Sequence, residues 1–441
     1  MKARRDRSWF ATTAPRAVAV AIAVALAVAL AGCTADARTP GTRFVIGQLN
    51  PSATDPVTMS IVGLQPGLDV TVSASVSTGG EHWRSRAVYP VSPSGSVDFG
   101  VLRPSLAAYP DADASGLLWS LEGPSQSQTQ LEHTWAGGDL DVLLAASEGG
   151  HIVAKATIHR PGLAGFATVM PAFAGDVVQS AKGKPMGGTA YDLRIGTFYR
   201  PVSLVAGLKP AVILVDGDDG GASAPFIAGR LAREGIPTFV LPAFGPEGQI
   251  PGSSALSVEA FDASLAWLRE QPNVDPLRIF TFGSWRASPL ALWLAANEPQ
   301  RVYGAIAASG TTALLCTSAS GTAIITHDGE GVPCEDPART IADMSLIRLD
   351  RIPGPVLLAC GEVDEVLGNA CSWLGAGVSI RGSRPGDEFI RAPGAGHEIA
   401  DPPMLPVGLS ELDPATAQAT ERARVAFWSG VVLMLQAASR T

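Results

Sequence analysis

The apolar positions of this chain fall into three successive patterns. The first is a single Ala/Val-rich run, Ala17 to Ala29, shorter than the usual membrane-spanning helix. The second covers residues 43–160 and alternates with period two or runs apolar for a few residues: Val57 to Val62, Val70 to Val76, Trp83 to Tyr89, Leu140 to Ala146, and Ile152 to Ile158. Turn pairs such as Pro66-Gly67, Gly79-Gly80 and Gly149-Gly150 separate these runs. Short strands at that spacing predict an antiparallel, immunoglobulin-like β-sandwich. Residues 161–184 are rich in Gly, Ala and Pro and predict a linker. The third pattern, over 185–437, alternates buried strands with helical stretches. Its strands are Ala211 to Val215, Pro237 to Leu241, Ile279 to Phe282, Val302 to Ala307 and Gly354 to Ala359. Helices are expected at Ala224 to Glu234, at Val258 to Glu270, after Ser288, and from about Ala415 to Gln436. This alternation predicts a mostly parallel sheet with helices on both faces.

Composition agrees with two domains and a large core: 441 residues, 46% hydrophobic and 17% charged. A net charge of −9 without a basic run argues against a nucleic-acid partner. The N-terminus changes the picture more. Lys2, Arg4, Arg5, Arg7 and Arg16 precede the first apolar run, which ends in Leu30-Ala31-Gly32-Cys33. This ending resembles the bacterial lipobox. It implies that residues 1–33 are a lipoprotein signal peptide, that Cys33 carries diacylglycerol, that 34–42 form a tether, and that the membrane partner is met outside the cytoplasm. The other four cysteines, Cys316, Cys334, Cys360 and Cys371, are an even number suited to an oxidising compartment. Three pairings are open, of which the local one, Cys316–Cys334 with Cys360–Cys371, is preferred. No CxxC word or nearby His pair accompanies them, so no metal is expected. Asp216, Asp218 and Asp219 resemble a fragment of a calcium loop without its later ligands. His327 beside Asp328 reads as a surface loop. No phosphate-loop or dinucleotide fingerprint follows a strand, and no cofactor is expected.

The chemistry concentrates at Phe282-Gly-Ser-Trp-Arg-Ala-Ser288, where a strand meets a helix through small residues. That is the outline of a nucleophile elbow, small-x-nucleophile-x-small. Gly283 and Ala287 flank position 285, which is Trp. The alternatives fit the turn less well: Ser284 is flanked by Phe282 and Arg286, and Ser288 by Arg286 and Leu290. Trp285 cannot attack a carbonyl, and at an elbow it would carry backbone strain on the order of 1–3 kcal/mol.

Several further words carry a resemblance. They are Val62-Gly-Leu-Gln-Pro-Gly67 and Gly116-Leu-Leu-Trp-Ser-Leu121 in the first half, and Gly220-Gly221, Gly361-Glu-Val-Asp364 and Pro393-Gly-Ala-Gly-His397 in the second. Together, over about residues 45–405, the chain resembles the acyl-CoA thioesterase and bile acid-CoA:amino acid N-acyltransferase (BAAT) family. The resemblance implies an α/β-hydrolase domain with His397 as general base, Asp364 as its orienting acid, and Gly217, Gly220 and Gly221 in the loop that helps cradle an oxyanion. It also implies an acyl (thio)ester hydrolase or acyltransferase. The family's Ser or Cys nucleophile is replaced here by Trp285. The expectation is therefore a degenerate acyl hydrolase kept for an acyl or other apolar ligand, or for a protein partner. The alternative is an active enzyme using Ser284, or water, with His397 and Asp364.

Overall fold

The computed structural model describes residues 41–48, 50–124, 135, 137–173, 194–203, 207–217, 224–243, 255–317, 321–407 and 412–439. Thr42–Thr441 forms one compact unit. Its first part contains β1 (Arg43–Ile46), β2 (Met59–Val62), β3 (Asp69–Thr78), β4 (Glu81–Pro90), β5 (Ser96–Asp98), a one-turn helix α1 (Gly116–Trp119), β6 (Leu140–Glu148) and β7 (His151–Arg160). The strands make two antiparallel sheets, in the orders β1-β2-β5 and β4-β3-β6-β7. Every second residue of β3 is buried (Val70, Val72, Ala74, Val76), as is every second residue from Leu140 to Ala146 on β6. Strand alternation puts these on one face, where they share a core with Tyr89, Phe99 and Trp119. Helix α1 was not foreseen in an all-β stretch. It sets Trp119 into that core, with the indole N–H donating to Asp113 at 3.1 Å.

The expected linker begins differently. Leu163–Phe166 form a 3-10 turn, and Ala167–Phe173 form strand β8, paired antiparallel with β9 (Arg194–Pro201). This corrects the linker assignment over its first half; residues 174–184 lie outside those described. Pro171 argues against an interior strand, but β8 is the last strand of its sheet, where a missing N–H costs no ladder bond.

The remaining elements are β10 (Lys209–Asp216), α2 (Ala224–Arg233), β11 (Thr238–Pro242), β12 (Leu256–Ser257), α3 (Val258–Arg269), β13 (Val274–Ser284), α4 (Ser288–Asn297), β14 (Gly304–Ala308), β15 (Ile325–His327), β16 (Glu330–Gly331), β17 (Val356–Gly361), α5 (Ala370–Arg381), β18 (Glu388–Ala392) and α6 (Pro414–Ala438). Eight strands make one sheet in the order β18-β17-β14-β13-β10-β11-β9-β8. The pairs from β18 to β11 are parallel and the last two antiparallel. Side chains of β10 alternate between two cores. Ala211, Ile213 and Val215 pack with α3 and α4 residues, while Val212 and Leu214 pack with α2 and α6. Helices therefore cover both faces, which is why these strands are almost uniformly apolar. A small three-stranded sheet, β12-β15-β16, was not anticipated.

Both local disulfides are formed, Cys316–Cys334 and Cys360–Cys371. The first part packs directly on the helices of the second. Arg233 of α2 pairs with Asp55, and the Gln418 amide of α6 donates to the Asp111 carbonyl. Among the described residues no helix is long and apolar enough to cross a membrane.

Candidate functional site

The C-terminal ends of the parallel strands converge on one cleft, where open α/β sheets place ligands. Gly217 follows β10, Trp285 follows β13, Ser309 follows β14, Asp364 follows β17 and His397 follows β18. The turn after β13 is built by close contact. A Cβ on Gly283 would lie 2.3 Å from the Ala287 carbonyl oxygen and 2.9 Å from the Ala291 Cβ. One on Gly217 would lie 2.8 Å from the Ala287 nitrogen. Only small residues allow strand, helix and neighbouring loop to meet so tightly. The frame centred on position 285 is the one that turns.

Trp285 itself has φ of 51°, the left-handed region that a bulky residue rarely enters. A 3-10 turn, Trp285–Ala287, then leads into α4. The indole ring lies nearly parallel to the His397 imidazole, with centroids 6.2 Å apart and planes at 23°. Its Nε1 is buried without a hydrogen-bond partner among the described residues. The indole thus stands beside the imidazole, from the position where an elbow would present its nucleophile.

His397 and Asp364 are brought together. The imidazole Nδ1 meets Asp364 Oδ2 at 2.8 Å, with the Asp side chain fully buried and that of His397 only 13% exposed. Oδ1 of Asp364 accepts the N–H groups of Val366 at 3.0 Å and Leu367 at 2.7 Å. Burial alone would raise the Asp364 pKa, but the hydrogen bonds from His397 and from these backbone donors outweigh it and hold the carboxyl below its usual value. An ionised Asp364 fixes Nδ1 as the protonated nitrogen and leaves Nε2 to exchange a proton.

Ser284 does not join this pair at the cavity. It is the last residue of β13, only 7% exposed, and is absent from the walls of the cavity that holds Trp285 and His397. That cavity, of about 430 Å³, is lined by Trp285, Arg286, Pro289, Ser309, Gly310, Thr311, Leu315, Cys316, Thr317, Ile324, Val366, Leu367 and His397. Gly217 lies against Ala287, while Gly220, Gly221, Asp218 and Asp219 fall outside the described residues, as does Cys33. His327 and Asp328 approach Glu259, with potential ligand atoms within 4.8 Å of one another. The Glu259 carboxylate there already accepts the Asp328 N–H and the Ser257 hydroxyl.

Sequence reading missed Ser309. It has φ of 50°, is buried, and donates its hydroxyl to the His397 carbonyl at 2.5 Å, pinning the base loop from the next strand. A small polar word after an apolar strand, Ser309-Gly-Thr-Thr312, was the available signal. The C-terminal helix was expected, but not that α6 holds the same loop. The Thr420 hydroxyl accepts the Gly396 N–H at 2.9 Å, and the Arg424 guanidinium donates to the Glu398 carbonyl at 2.8 Å.

A family model described as the acyl-CoA thioester hydrolase/BAAT N-terminal region matches residues 54–164. The chain resembles this family. An uncharacterized protein of Mycobacterium tuberculosis, found in two strains, is 27% identical over 243 residues, which are 54% of this chain and 76% of that protein. Among solved structures, a hypothetical protein from Pseudomonas aeruginosa is 15% identical, covering 59% of this chain and 95% of that one, with a TM-score of 0.40. An esterase of Pyrobaculum calidifontis is 16% identical, covering 63% and 88%, also at 0.40. The BAAT-family match lies wholly in the first part of the chain. The site lies in the second, on the large mixed sheet.

Proposed function

We propose that this protein is a non-nucleophilic member of the acyl-CoA thioesterase/BAAT family that binds an acyl or other apolar small molecule without forming an acyl-enzyme. The observation that carries the reading is Trp285, at the elbow with φ of 51° and stacked beside His397. An indole carbon has no lone pair for a carbonyl, and covalent acyl transfer needs an activated nucleophile within reach of its base. The apolar cavity of about 430 Å³ is of the size that small-molecule sites occupy. The two N-terminal sheets are read as an immunoglobulin-like sandwich over 43–160, followed by the hydrolase-like domain over 185–437. The Leu30-to-Cys33 word and the basic residues before it support a lipid anchor at Cys33 and a place outside the cytoplasm; two disulfides fit an oxidising compartment. Incorporation of radiolabelled palmitate that vanishes in Cys33→Ala tests the anchor.

The intact His397–Asp364 pair favours a second reading, hydrolysis by Ser284 or by water activated at His397. An activity-based fluorophosphonate separates the two. The expected result is no covalent labelling of the purified protein and no turnover of acyl esters or thioesters. Labelling at Ser284 that disappears in His397→Ala, or turnover that depends on His397, would sink the first reading.

A further inference from the structure

Each disulfide closes a loop that supplies part of the cavity wall. Cys316 itself lines the cavity, and the loop it closes with Cys334, 18 residues on, contributes Thr317 and Ile324. Cys360–Cys371, 11 residues apart, closes the turn that contributes Val366 and Leu367 and that holds Asp364 against His397. The sheet behind the cavity is held by other means: β10, β13 and β14 pair along their ladders and bury apolar side chains on both faces. The two loops have less of their own. In the first, β15 has three residues and β16 two. In the second, Asp364 closes the turn at Val366 and Leu367, but α5 then starts after Asn369 without a side-chain cap. Cys371, in that first helical turn, is tied back to β17 through Cys360. Each bridge also joins a buried residue, Cys316 at 8% or Cys360 at 1% exposure, to a partly exposed one, Cys334 or Cys371.

We propose that the two bridges form a redox gate on the cavity: oxidised, they hold its wall in shape, and reduced by a dithiol, they release both wall segments while the sheet stays folded. The exposed half of each bridge is where the reductant enters. Its thiolate attacks the sulfur of Cys334 or Cys371, forming a mixed disulfide, and the buried Cys316 or Cys360 leaves as a thiolate that takes a proton. The second thiol of the reductant then displaces the protein, so each bridge gains two electrons and two protons and the reductant leaves as its own disulfide. Opening a bridge returns to its loop the conformational freedom that the cross-link removed. Local opening of this kind falls on segments with few bonds of their own and spares a two-sided core. That the gate controls ligand binding rests on reading the cavity as an apolar small-molecule site; that the wall opens does not.

Hydrogen exchange read by mass spectrometry, on the purified full chain before and after dithiothreitol, tests this without a ligand. Residues 321–333 and 361–371 are expected to exchange at least about tenfold faster once reduced, while β10, β13 and β14 stay protected. Reoxidation should restore the slow rates. Cys316→Ser/Cys334→Ser and Cys360→Ser/Cys371→Ser should each speed exchange in their own loop alone. Bridges that resist dithiothreitol until the chain unfolds, reduced loops that exchange as slowly as oxidised ones, or faster exchange spread through β10, β13 and β14 would each overturn the gate. Calorimetric titration with octan-1-ol, expected to bind at least about tenfold more weakly after reduction, reads the consequence. Equal affinity in both states overturns control of binding. Absence of binding by the oxidised protein counts against the apolar-ligand reading instead, and exchange still decides whether the wall opens.

Discussion

Placing a hydroxyl at the elbow tests whether this site lacks only a nucleophile. In Trp285→Ser the backbone stays at φ of 51°, the conformation an elbow imposes on its nucleophile. Removing the indole vacates the place beside the imidazole, whose ring centre lies 6.2 Å from that of Trp285. Asp364 already holds Nδ1 at 2.8 Å, so Nε2 is the nitrogen that would take the new hydroxyl's proton. Stability should fall only modestly. Truncating a fully buried Trp costs about 3–5 kcal/mol, but Trp285 is half-buried on a cavity wall and its N–H makes no hydrogen bond among the described residues. A loss of about 1–2 kcal/mol, or a Tm lower by about 2–6 °C, is expected. In a complete triad the serine is worth on the order of 10⁶ in kcat. A gain of about 10²- to 10⁴-fold over wild type on p-nitrophenyl esters is expected from the nucleophile and its base alone. Fluorophosphonate should label Ser at 285, and both effects should vanish when His397→Ala is added. A Trp285→Ser protein with native circular dichroism and the expected Tm, yet neither labelled nor faster than wild type, would refute the view that the elbow geometry survives.

Asp364→Asn, placed in the Trp285→Ser background, should remove about 10³- to 10⁴-fold of the gained esterase rate by presenting an amide N–H to Nδ1 and favouring the wrong tautomer, read from single-turnover rates. Glu421 is buried and its carboxyl is pushed up to about 8, by desolvation first, against the attraction of Arg424. Because the folded state holds this proton more tightly than the unfolded chain, its contribution is fully present below the ordinary carboxylate pKa and is lost as pH rises through about 8. Glu421→Gln should therefore match wild type within about 1 kcal/mol at pH 5 and exceed it by a few kcal/mol at pH 9, checked by thermal melts; equal destabilisation at both pH values would contradict this. Asp364 has the opposite sign: its carboxyl is held down, so its contribution is present above the ordinary carboxylate pKa and lost as pH falls. Opening the Cys360–Cys371 bridge in a Cys360→Ser/Cys371→Ser double variant should cost about 2–3 kcal/mol. It frees the loop that carries Asp364, Val366 and Leu367, so in the Trp285→Ser background the gained esterase rate should fall together with Tm.

The second half of the fold was legible because its strands are buried on both faces. Ala211 to Val215 and Ile279 to Phe282 have no polar face to confuse the pattern, except Thr281, whose hydroxyl is bonded to the Ala291 carbonyl. The elbow was legible through Gly283 and Ala287: a Cβ on Gly283 would lie under 3 Å from the Ala287 carbonyl oxygen and the Ala291 Cβ, and Ala287 is fully buried. Strand β8 was not, since an edge strand pairs on one side only and tolerates the Pro171 that reads as a breaker. Arg286 was legible as an elbow residue but not as a cavity wall, because which way a turn residue faces depends on loops that arrive from β14 and β17. Ser309 escaped for a similar reason: its partner, the His397 carbonyl, lies 88 residues away.

Persistence of the His397–Asp364 pair is weak evidence for catalysis in this fold, because the loop around the histidine is also structural. Between Ala395 and Met404 the chain is tied to α6 by a buried polar seam. Thr420 accepts the Gly396 N–H, Glu421 accepts the Met404 N–H, and Arg424 bonds Asp401 at 2.9 Å and the Glu398 carbonyl at 2.8 Å. The Trp428 indole N–H reaches the Ala400 and Asp401 carbonyls. Leaving any of these buried groups unpaired would cost about 1–3 kcal/mol, more for the charged ones. Asp364 is similarly committed, since its Oδ1 closes the turn at Val366 and Leu367 whether or not a proton is ever transferred. An acid–base pair embedded this way is held in place by packing whether or not a nucleophile stands beside it. Position 285 carries no comparable structural duty: its indole N–H is unbonded among the described residues, its backbone is strained, and its ring faces a cavity. The functional distinction therefore rests on the one site residue that packing leaves free to change.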